Sequence, residues 1–263
     1  MLTVEAISRK TGLSTDEVER MIERAKRSVV PQIKRIIVRE RGRDESLVVV
    51  RHGVGPLLTK HGVFEQFDFS IDDRWVKYSV IVRAPLSDDF TPRFQFTAGS
   101  IKMRIDSGCE TGQMFGDLTC ECRDQLDLAL ARIAEAGEGL VINIPGQDGR
   151  GLRLPHKLAT LRLQQEFKID TVESGALLVP DGSKDIRTYA GAIAILKFLG
   201  IDTSITIILF TNNNEKQGIF SENGYNLKTE PLVIPATEHT RIHLMAKQVH
   251  LGHTGLVGQE DDP

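Results

Sequence analysis

Apolar positions in the first thirty residues recur with a helical period. Val18, Met21, Ile22 and Ala25 fall on one face, Ser14 stands where an N-cap is needed with Glu17 three residues on, and Gly12 supplies a stop before it. The pattern predicts two short helices in a helix–turn–helix shape. From Pro31 to about residue 105 it changes to short β-like runs at 33–38, 47–50, 76–82, 94–96 and 101–105, broken by Gly, Pro and Asp clusters. A strong helical pattern then runs from Gln125 to Ala136 and closes at Gly137. A buried strand over 139–144, helices over 154–167 and 187–199, and a strand over 205–210 follow. Strands alternating with helices predict an α+β fold, a mixed sheet covered by helices, with a small N-terminal helical appendage. The expected organisation is an appendage over 1–30, a main domain over 31–235, and a C-terminal helix and tail over 236–263.

Composition narrows the classes. A hydrophobic content of 40% and a charged content of 26% are those of a soluble globular protein. The longest apolar runs, such as 205–210, are far too short to span a bilayer, and the N-terminus lacks the apolar core of a signal peptide. The expectation is a cytoplasmic protein with no membrane partner. A net charge of -3 argues against a chain that coats nucleic acid. The second helix mixes Asp16, Glu17, Glu19 and Glu23 with Arg20, Arg24, Lys26 and Arg27, which suits a packing or dimerising element better than a DNA reader. A homodimer without a DNA partner is the expected assembly.

All three cysteines fall within fourteen positions, in the run Cys109-Glu-Thr-Gly-Gln-Met-Phe-Gly-Asp-Leu-Thr-Cys120-Glu-Cys122-Arg-Asp-Gln-Leu. Free cysteine commonly ends as a small buried hydrophobe. This segment is polar, however, holds two glycines, and sets Cys120 and Cys122 two apart as a pincer. Structural zinc sites close with four protein ligands, whereas catalytic sites keep three and leave a position for water. Three thiolates without a fourth point to one zinc per chain and to hydrolysis. An odd number of free thiols also fits a reducing compartment.

Two loops at the ends of predicted strands add candidate chemistry. In Pro145-Gly-Gln-Asp148-Gly-Arg150-Gly, glycines allow close backbone approach, and Arg150 can fork onto phosphate or carboxylate. Thr211-Asn-Asn-Asn-Glu-Lys216 offers hydroxyl, amide and ammonium groups suited to a nucleotide's phosphates. Each alone is commonly a plain turn. Beside a metal cluster the two together point to a nucleotide site.

From about Arg104 to Gly224 the chain resembles the GTP cyclohydrolase II family, zinc enzymes that open the guanine ring at the start of riboflavin synthesis. The family's Cys-x-Thr-Gly-Asp-x-Phe-x-Ser-x-Arg-Cys-x-Cys-x-x-Gln-Leu is similar to the cysteine run quoted above. Its Gln-Glu-Gly-Arg-Gly resembles Gln147-Asp-Gly-Arg-Gly151, its Asp-Thr-Val-Glu matches Asp170-Thr-Val-Glu173, and its Leu-Thr-Asn-Asn-Pro-x-Lys resembles Phe210-Thr-Asn-Asn-Asn-Glu-Lys216. The resemblance assigns zinc to Cys109, Cys120 and Cys122. It assigns nucleotide contacts to Arg104, Gln125, Arg150, Thr171, Thr211 and Lys216, with Asp148 in place of the loop glutamate. Mg2+ is a further candidate ion beside the substrate phosphates. The family's catalytic aspartate and its α-phosphate arginine fall on Asp185 and Arg187, after a two-residue insertion around Pro180-Asp-Gly-Ser183. From the residues alone, Asp185-Ile-Arg187 reads as a helix N-terminus with an acidic cap.

Two departures bear on the substrate. Where the riboflavin enzymes carry Lys-x-Arg-Ala-Tyr-Ala-Leu-Gln, this chain has Lys157-Leu-Ala-Thr-Leu161-Arg-Leu-Gln164, and Leu161 can donate neither a proton nor a hydrogen bond. In the family that tyrosine is associated with loss of the excised carbon as formate. Asp148 sets its carboxylate back by one methylene from the glutamate it replaces. Together with Glu238-His239-Thr-Arg-Ile-His243 and the further His250 and His253, these features resemble the GTP-cyclohydrolase-II-like branch of uracil degradation. The expectation is a zinc cyclohydrolase opening a uracil nucleotide, with riboflavin-type opening of GTP as the alternative. A nucleotide-sensing DNA-binding regulator is the alternative of another class. His239, His243 and His250 recur at helical intervals, which a second metal site would need, but without accompanying carboxylates they read as a solvated or interface face.

Overall fold

The computed structural model describes residues 2–72, 77–179 and 185–251, excepting the side chains at 214 and 215. Helices α1 (Val4–Thr11) and α2 (Thr15–Arg27) come first. Gly12 ends α1 at φ 77, and Ser14 and Glu17 form the capping box that starts α2. Strands β1 (Gln32–Glu40), β2 (Arg43–Thr59), β3 (Gly62–Ile71) and β4 (Lys77–Arg83) then make an antiparallel meander.

The second half alternates strand and helix. It runs through β5 (Ser100–Asp106), α3 (Glu110–Gln113), α4 (Cys122–Ala136), β6 (Gly139–Asn143), α5 (Arg153–Phe167), α6 (Thr171–Leu178) and α7 (Ala190–Phe198). β7 (Thr206–Phe210), α8 (Gly218–Glu222), β8 (Asn226–Glu230) and α9 (Arg241–His250) complete it. The strands form one mixed sheet in the order β1-β2-β3-β4-β6-β5-β7-β8, antiparallel as far as β6 and parallel from β6 through β5 and β7 to β8. The fold is α+β, as the alternation implied.

Both faces of the parallel part are covered, which is why β6 and β7 read as continuous apolar runs. Leu140, Ile142, Ile207 and Leu209 share a core with Ile193 and Ile195 of α7. Val141 and Phe210 point the other way, into a second core with Ala129 and Ile133 of α4. α7 is apolar almost all round because it is buried almost all round. Each fully buried aliphatic side chain contributes about 1.5–3 kcal/mol, so these two layers fix the strand ends that carry the loops.

Several elements escape the periodicity, among them β3, which no expected strand covers, and the short helices α3 and α8. β2 continues past Gly53, Gly55 and Pro56 because β1 pairs it only as far as Arg51, so Pro56 faces a partner on one side alone. β8 is a polar edge strand, mostly exposed, whose lysine and glutamate suit an edge. α6 opens on Asp170, whose carboxylate accepts from the N–H groups of Val172 (2.6 Å) and Glu173 (2.9 Å). One expected strand is absent. At 94–96 the Glu138 carboxylate accepts from the N–H groups of Gln95, Phe96 and Thr97, so a side chain takes the donors that a neighbouring strand would use. The expected helix over 187–199 starts only at Ala190, because Glu40 accepts from the Thr188 hydroxyl and the Tyr189 N–H and holds that stretch outside the helix. The insertion at 180–183 and the tail beyond 251 lie outside the described residues.

β5 lies in the middle of the parallel group. The chain leaves it through α4 to β6 on one side, and returns through α5, α6 and α7 to β7 on the other. Such a reversal opens a crevice beyond the C-terminal ends of the strands. The cysteine run follows β5, the Arg150 loop follows β6 and the Thr211 loop follows β7. All three candidate loops therefore meet at one crevice.

Candidate active site

Two adjoining cavities of about 150 and 170 Å3 occupy this crevice, and Ser107, Cys109, Cys122, Arg150, Arg187 and Lys247 line both. Every residue assigned a site role from the sequence lines one or the other. Arg104, Gln125, Asp185, Thr211 and Lys216 face the first; Cys120, Asp148 and Thr171 face the second.

The three thiols converge between the cavities. Their sulfurs all lie within 4.8 Å of one another, with Cys109 Sγ and Cys120 Sγ 3.5 Å apart. Zn–S bonds of about 2.3 Å around a tetrahedral ion require sulfurs roughly 4 Å apart, so the spacing fits. Gly112 keeps the space clear, since a Cβ there would stand 2.7 Å from Cys120 Sγ and 3.3 Å from Cys109 Sγ. Hydrogen bonding from Cys120 and Cys122, helped by Lys157, holds the Cys109 thiol far below its ordinary value. The bond to Cys109 pushes Cys120 up to about 11, and bonds to both neighbours with burial push Cys122 well up. A bound cation would favour the ionised form of all three thiols. Lys157 Nζ donates to Cys109 Sγ at 2.8 Å, and Lys247 Nζ, 3.1 and 3.2 Å from the Glu121 oxygens, adds a second half-buried ammonium nearby. The donor set, its spacing and its charge fit one metal ion.

The first cavity is dominated by cations. Arg104 Nε donates to Asp106 Oδ1 at 3.2 Å and its Nη2 to Gln125 Oε1 at 3.1 Å, which aligns the guanidinium and the amide. Asp106 also accepts from Gln113, Asn143 and the Gly108 N–H, so one buried carboxylate ties three segments together. Arg187 Nε donates to both Asp185 oxygens at 2.8 and 3.0 Å, its Nη2 also meets Asp185, and its Nη1 reaches Ser107. Burial alone would raise the Asp185 pKa, but the bonds and charge of Arg187, with Asn213 in support, hold it below the usual carboxylate range. Asp185 is therefore an ionised acceptor paired with Arg187.

Lys216 donates to the Ile105 carbonyl at 2.8 Å, and burial, with Arg104 and Arg187 adding like charge, pushes its pKa down to about 7. An incoming phosphate favours the charged form. Above that pKa the empty site holds mostly neutral lysine, so binding must take up a proton; well below it the proton is already there. Calorimetric titration of a nucleoside triphosphate in buffers of different ionisation heat should show uptake near about pH 8 and almost none near about pH 6. Lys216→Met should abolish the difference. Equal uptake in that variant would assign the proton to another group.

The second cavity is shaped by the Arg150 loop. Gly149, Arg150 and Gly151 all adopt positive φ (57, 58 and 96), an unusual conformation for the arginine. The Arg150 carbonyl accepts the Ile186 N–H at 3.0 Å, which ties this loop to the Asp185-Arg187 segment. Its guanidinium donates to the carbonyl (2.6 Å) and hydroxyl (3.1 Å) of Thr171, so the capped start of α6 serves to place those oxygens. Asp148 is buried, 3.9 Å from Lys157, and its pKa is raised by burial. Leu161 lines this cavity one helical turn beyond Lys157.

The family model described as GTP cyclohydrolase II matches residues 56–230, more than half of the chain. The chain belongs to the GTP cyclohydrolase II family. It is 34% identical over 207 residues to "GTP cyclohydrolase-2" of Streptomyces coelicolor, covering 78% of this chain and 86% of that one. It is 31% identical over 230 residues to "Monofunctional riboflavin biosynthesis protein RIBA 3, chloroplastic" of Arabidopsis thaliana, covering 86% of this chain and 42% of that one. It is 33% identical over 214 residues to "Riboflavin biosynthesis protein RibBA" of Bacillus mycoides, covering 80% and 49%. The chain thus spans less than half the length of the last two. Against the crystal structure of RibBX, a two domain 3,4-dihydroxy-2-butanone 4-phosphate synthase from A. baumannii, the TM-score is 0.37 at 15% identity, over 88% of this chain and 49% of that one.

As a GTP cyclohydrolase II family hydrolase, the chain contains site groups that the sequence reading did not assign. Lys157 stood inside a quoted family motif, but its part in the thiol cluster required the fold. Asp106 follows a predicted strand directly, and a carboxylate at a strand end was the available signal. Lys247 and His243 arrive from α9, whose histidine spacing was noted but not its direction. Among the described residues the thiols form the sole metal-competent group of three, and His239 and His250 are exposed. No described helix is long and apolar enough to cross a membrane.

Proposed function

We propose that the chain is a zinc-dependent cyclohydrolase that opens the base of GTP with release of formate and pyrophosphate. The observation that carries this reading is the single crevice in which a three-thiolate cluster adjoins a cavity lined by Arg104, Arg187 and Lys216. The match with the Streptomyces coelicolor protein across most of both chains supports guanine over other bases.

Cys109, Cys120 and Cys122 would hold the zinc, which would supply Lewis-acid polarisation of the attacked carbon and a water of lowered pKa. Two waters add in turn to that carbon and break its two bonds to nitrogen, freeing it as formate, with Asp185 accepting each proton and returning it to the departing nitrogen; a further water displaces pyrophosphate at the α-phosphate. Arg187, Arg150 and Lys216 neutralise the phosphates. Gln125 and Asp148 orient the nucleotide around the cluster.

A second reading, opening of a uracil nucleotide, is favoured by Leu161 in the cavity wall where the riboflavin enzymes have tyrosine. Incubation of the zinc-loaded protein with GTP, UTP and UMP separates the two. GTP should disappear with appearance of formate and pyrophosphate, and both uracil nucleotides should survive. A uracil nucleotide that gains the mass of one water and loses its absorbance band, while GTP persists, would make the second reading correct.

A further inference from the structure

One ammonium on the second cavity is turned toward a sulfur. Lys157 stands in the second turn of α5, its side chain is 16% exposed, and its Nζ lies 2.8 Å from Cys109 Sγ. Lysine is rarely kept this far from solvent without a partner. The carboxylate beside it, Asp148, is farther off, with Oδ1 at 3.9 Å, and that oxygen also accepts the Glu110 N–H at 3.3 Å. The same carboxylate thus borders both the lysine and the start of α3, the helix that Cys109 precedes. Lys247, the other lysine on this cavity with a counter-charge, is paired instead with both oxygens of Glu121.

Charge explains why a lysine belongs there. Three thiolates around a divalent ion leave one net negative charge, and such a charge away from bulk water is costly unless a counter-charge meets it. Lysine is an ammonium at ordinary pH, so at Cys109 it brings ligands, ion and counter-charge to neutrality. An N–H···S bond also draws electron density from the sulfur, which weakens that thiolate's donation and leaves the ion a stronger Lewis acid. Groups that hold a metal ligand from outside in this way fix its direction and tune the ion.

We propose that Lys157 is a positioning residue of the metal centre, its ammonium donating to the Cys109 thiolate, fixing that ligand's direction and offsetting the charge of the thiolate set. The inference rests on the zinc reading of the site, but not on which base is opened. It gives α5 two parts in the crevice: Lys157 supports the metal ligands, and Leu161, one turn later, forms cavity wall.

Chelator competition against the zinc-loaded full chain, with absorption spectra of the cobalt-loaded chain, tests this without any nucleotide. Lys157→Met should weaken zinc and cobalt binding by about ten- to a hundredfold, the usual cost of losing such a partner. The sulfur-to-cobalt charge-transfer band should move to longer wavelength, because a thiolate relieved of its hydrogen bond gives up an electron at lower energy. The cobalt d–d bands should keep the intensity of a four-coordinate ion, since no ligand is removed. Lys157→Arg, which keeps the charge and a donor, should restore part of both the affinity and the band position. Metal affinity within twofold of the unmodified protein in Lys157→Met overturns the assignment. So does weakened affinity with the band unmoved, which is the result expected of a lysine that only supports the fold. Should Lys157→Met fail to fold, Lys157→Gln carries the affinity measurement: a fall of about tenfold is expected once the charge is gone, and a value within twofold again overturns the proposal. Uptake of neither ion by the unmodified protein would instead remove the zinc reading and this inference with it.

Discussion

Cys120→Ser should leave the purified protein with far less than the one zinc per chain expected of the unmodified protein, and without turnover. The size of the effect follows from the ligand count. Catalytic zinc sites hold their ion through three protein ligands, and among the described residues no fourth candidate stands near the three sulfurs to replace one that is lost. Cys120 also lies 3.5 Å from Cys109 Sγ and accepts the Cys122 N–H at 3.4 Å. Its removal takes away a ligand and both of these contacts. Serine is smaller and binds zinc poorly as a neutral hydroxyl, so the loss should be chemical rather than steric, and thermal unfolding of the metal-free forms should differ little. Elemental analysis of the two proteins gives the answer. Full zinc retention in the variant would falsify the ligand assignment, and turnover by metal-free unmodified protein would remove zinc from the mechanism.

Much of this site is legible in the sequence, and the reason is local. The cysteines lie close together in sequence, so their spacing alone suggested a metal. Arg150 and Lys216 sit in loops that directly follow apolar strands, and strand ends are where an α/β sheet places its ligands. What stayed hidden depends on long-range packing. Lys157 meets Cys109 across 48 positions and Lys247 meets Glu121 across 126, and no periodicity relates such pairs. β8 was hidden for the opposite reason. It is an exposed edge, so it lacks the apolar alternation by which β1 could be recognised. The stretch at 94–96 shows the converse error: its aromatics satisfy strand propensity, but Glu138 takes its backbone donors. His243 combines both difficulties, since a regular histidine spacing on an amphipathic helix does not say which member faces inward.

Asp185→Asn should retain nucleotide binding yet lose turnover by roughly a hundredfold or more, the contribution of a positioned proton carrier. The geometry makes the substitution clean. Asparagine keeps an oxygen that can accept from Arg187 Nε and the neighbouring Arg187 N–H (3.1 Å), so the local turn should survive while the basic carboxylate does not. Arg187→Ala behaves differently, because Arg187 both holds Asp185 ionised and adds positive charge to the cavity. It should lower turnover and weaken binding together, and raise the pKa of Asp185, which loses its principal counter-charge while remaining buried. The sign is fixed by that loss: with the folded-state pKa moved up, the acid limb of the pH–rate profile should shift to higher pH. Steady-state kinetics of the two variants, with the pH profile of Arg187→Ala, discriminate between the roles. Asp185→Asn should change kcat far more than KM, and Arg187→Ala should change both. Unchanged turnover in both variants would mean that the insertion before Asp185 has moved the proton-transfer group elsewhere in the crevice, and the roles assigned to positions 185 and 187 would be wrong.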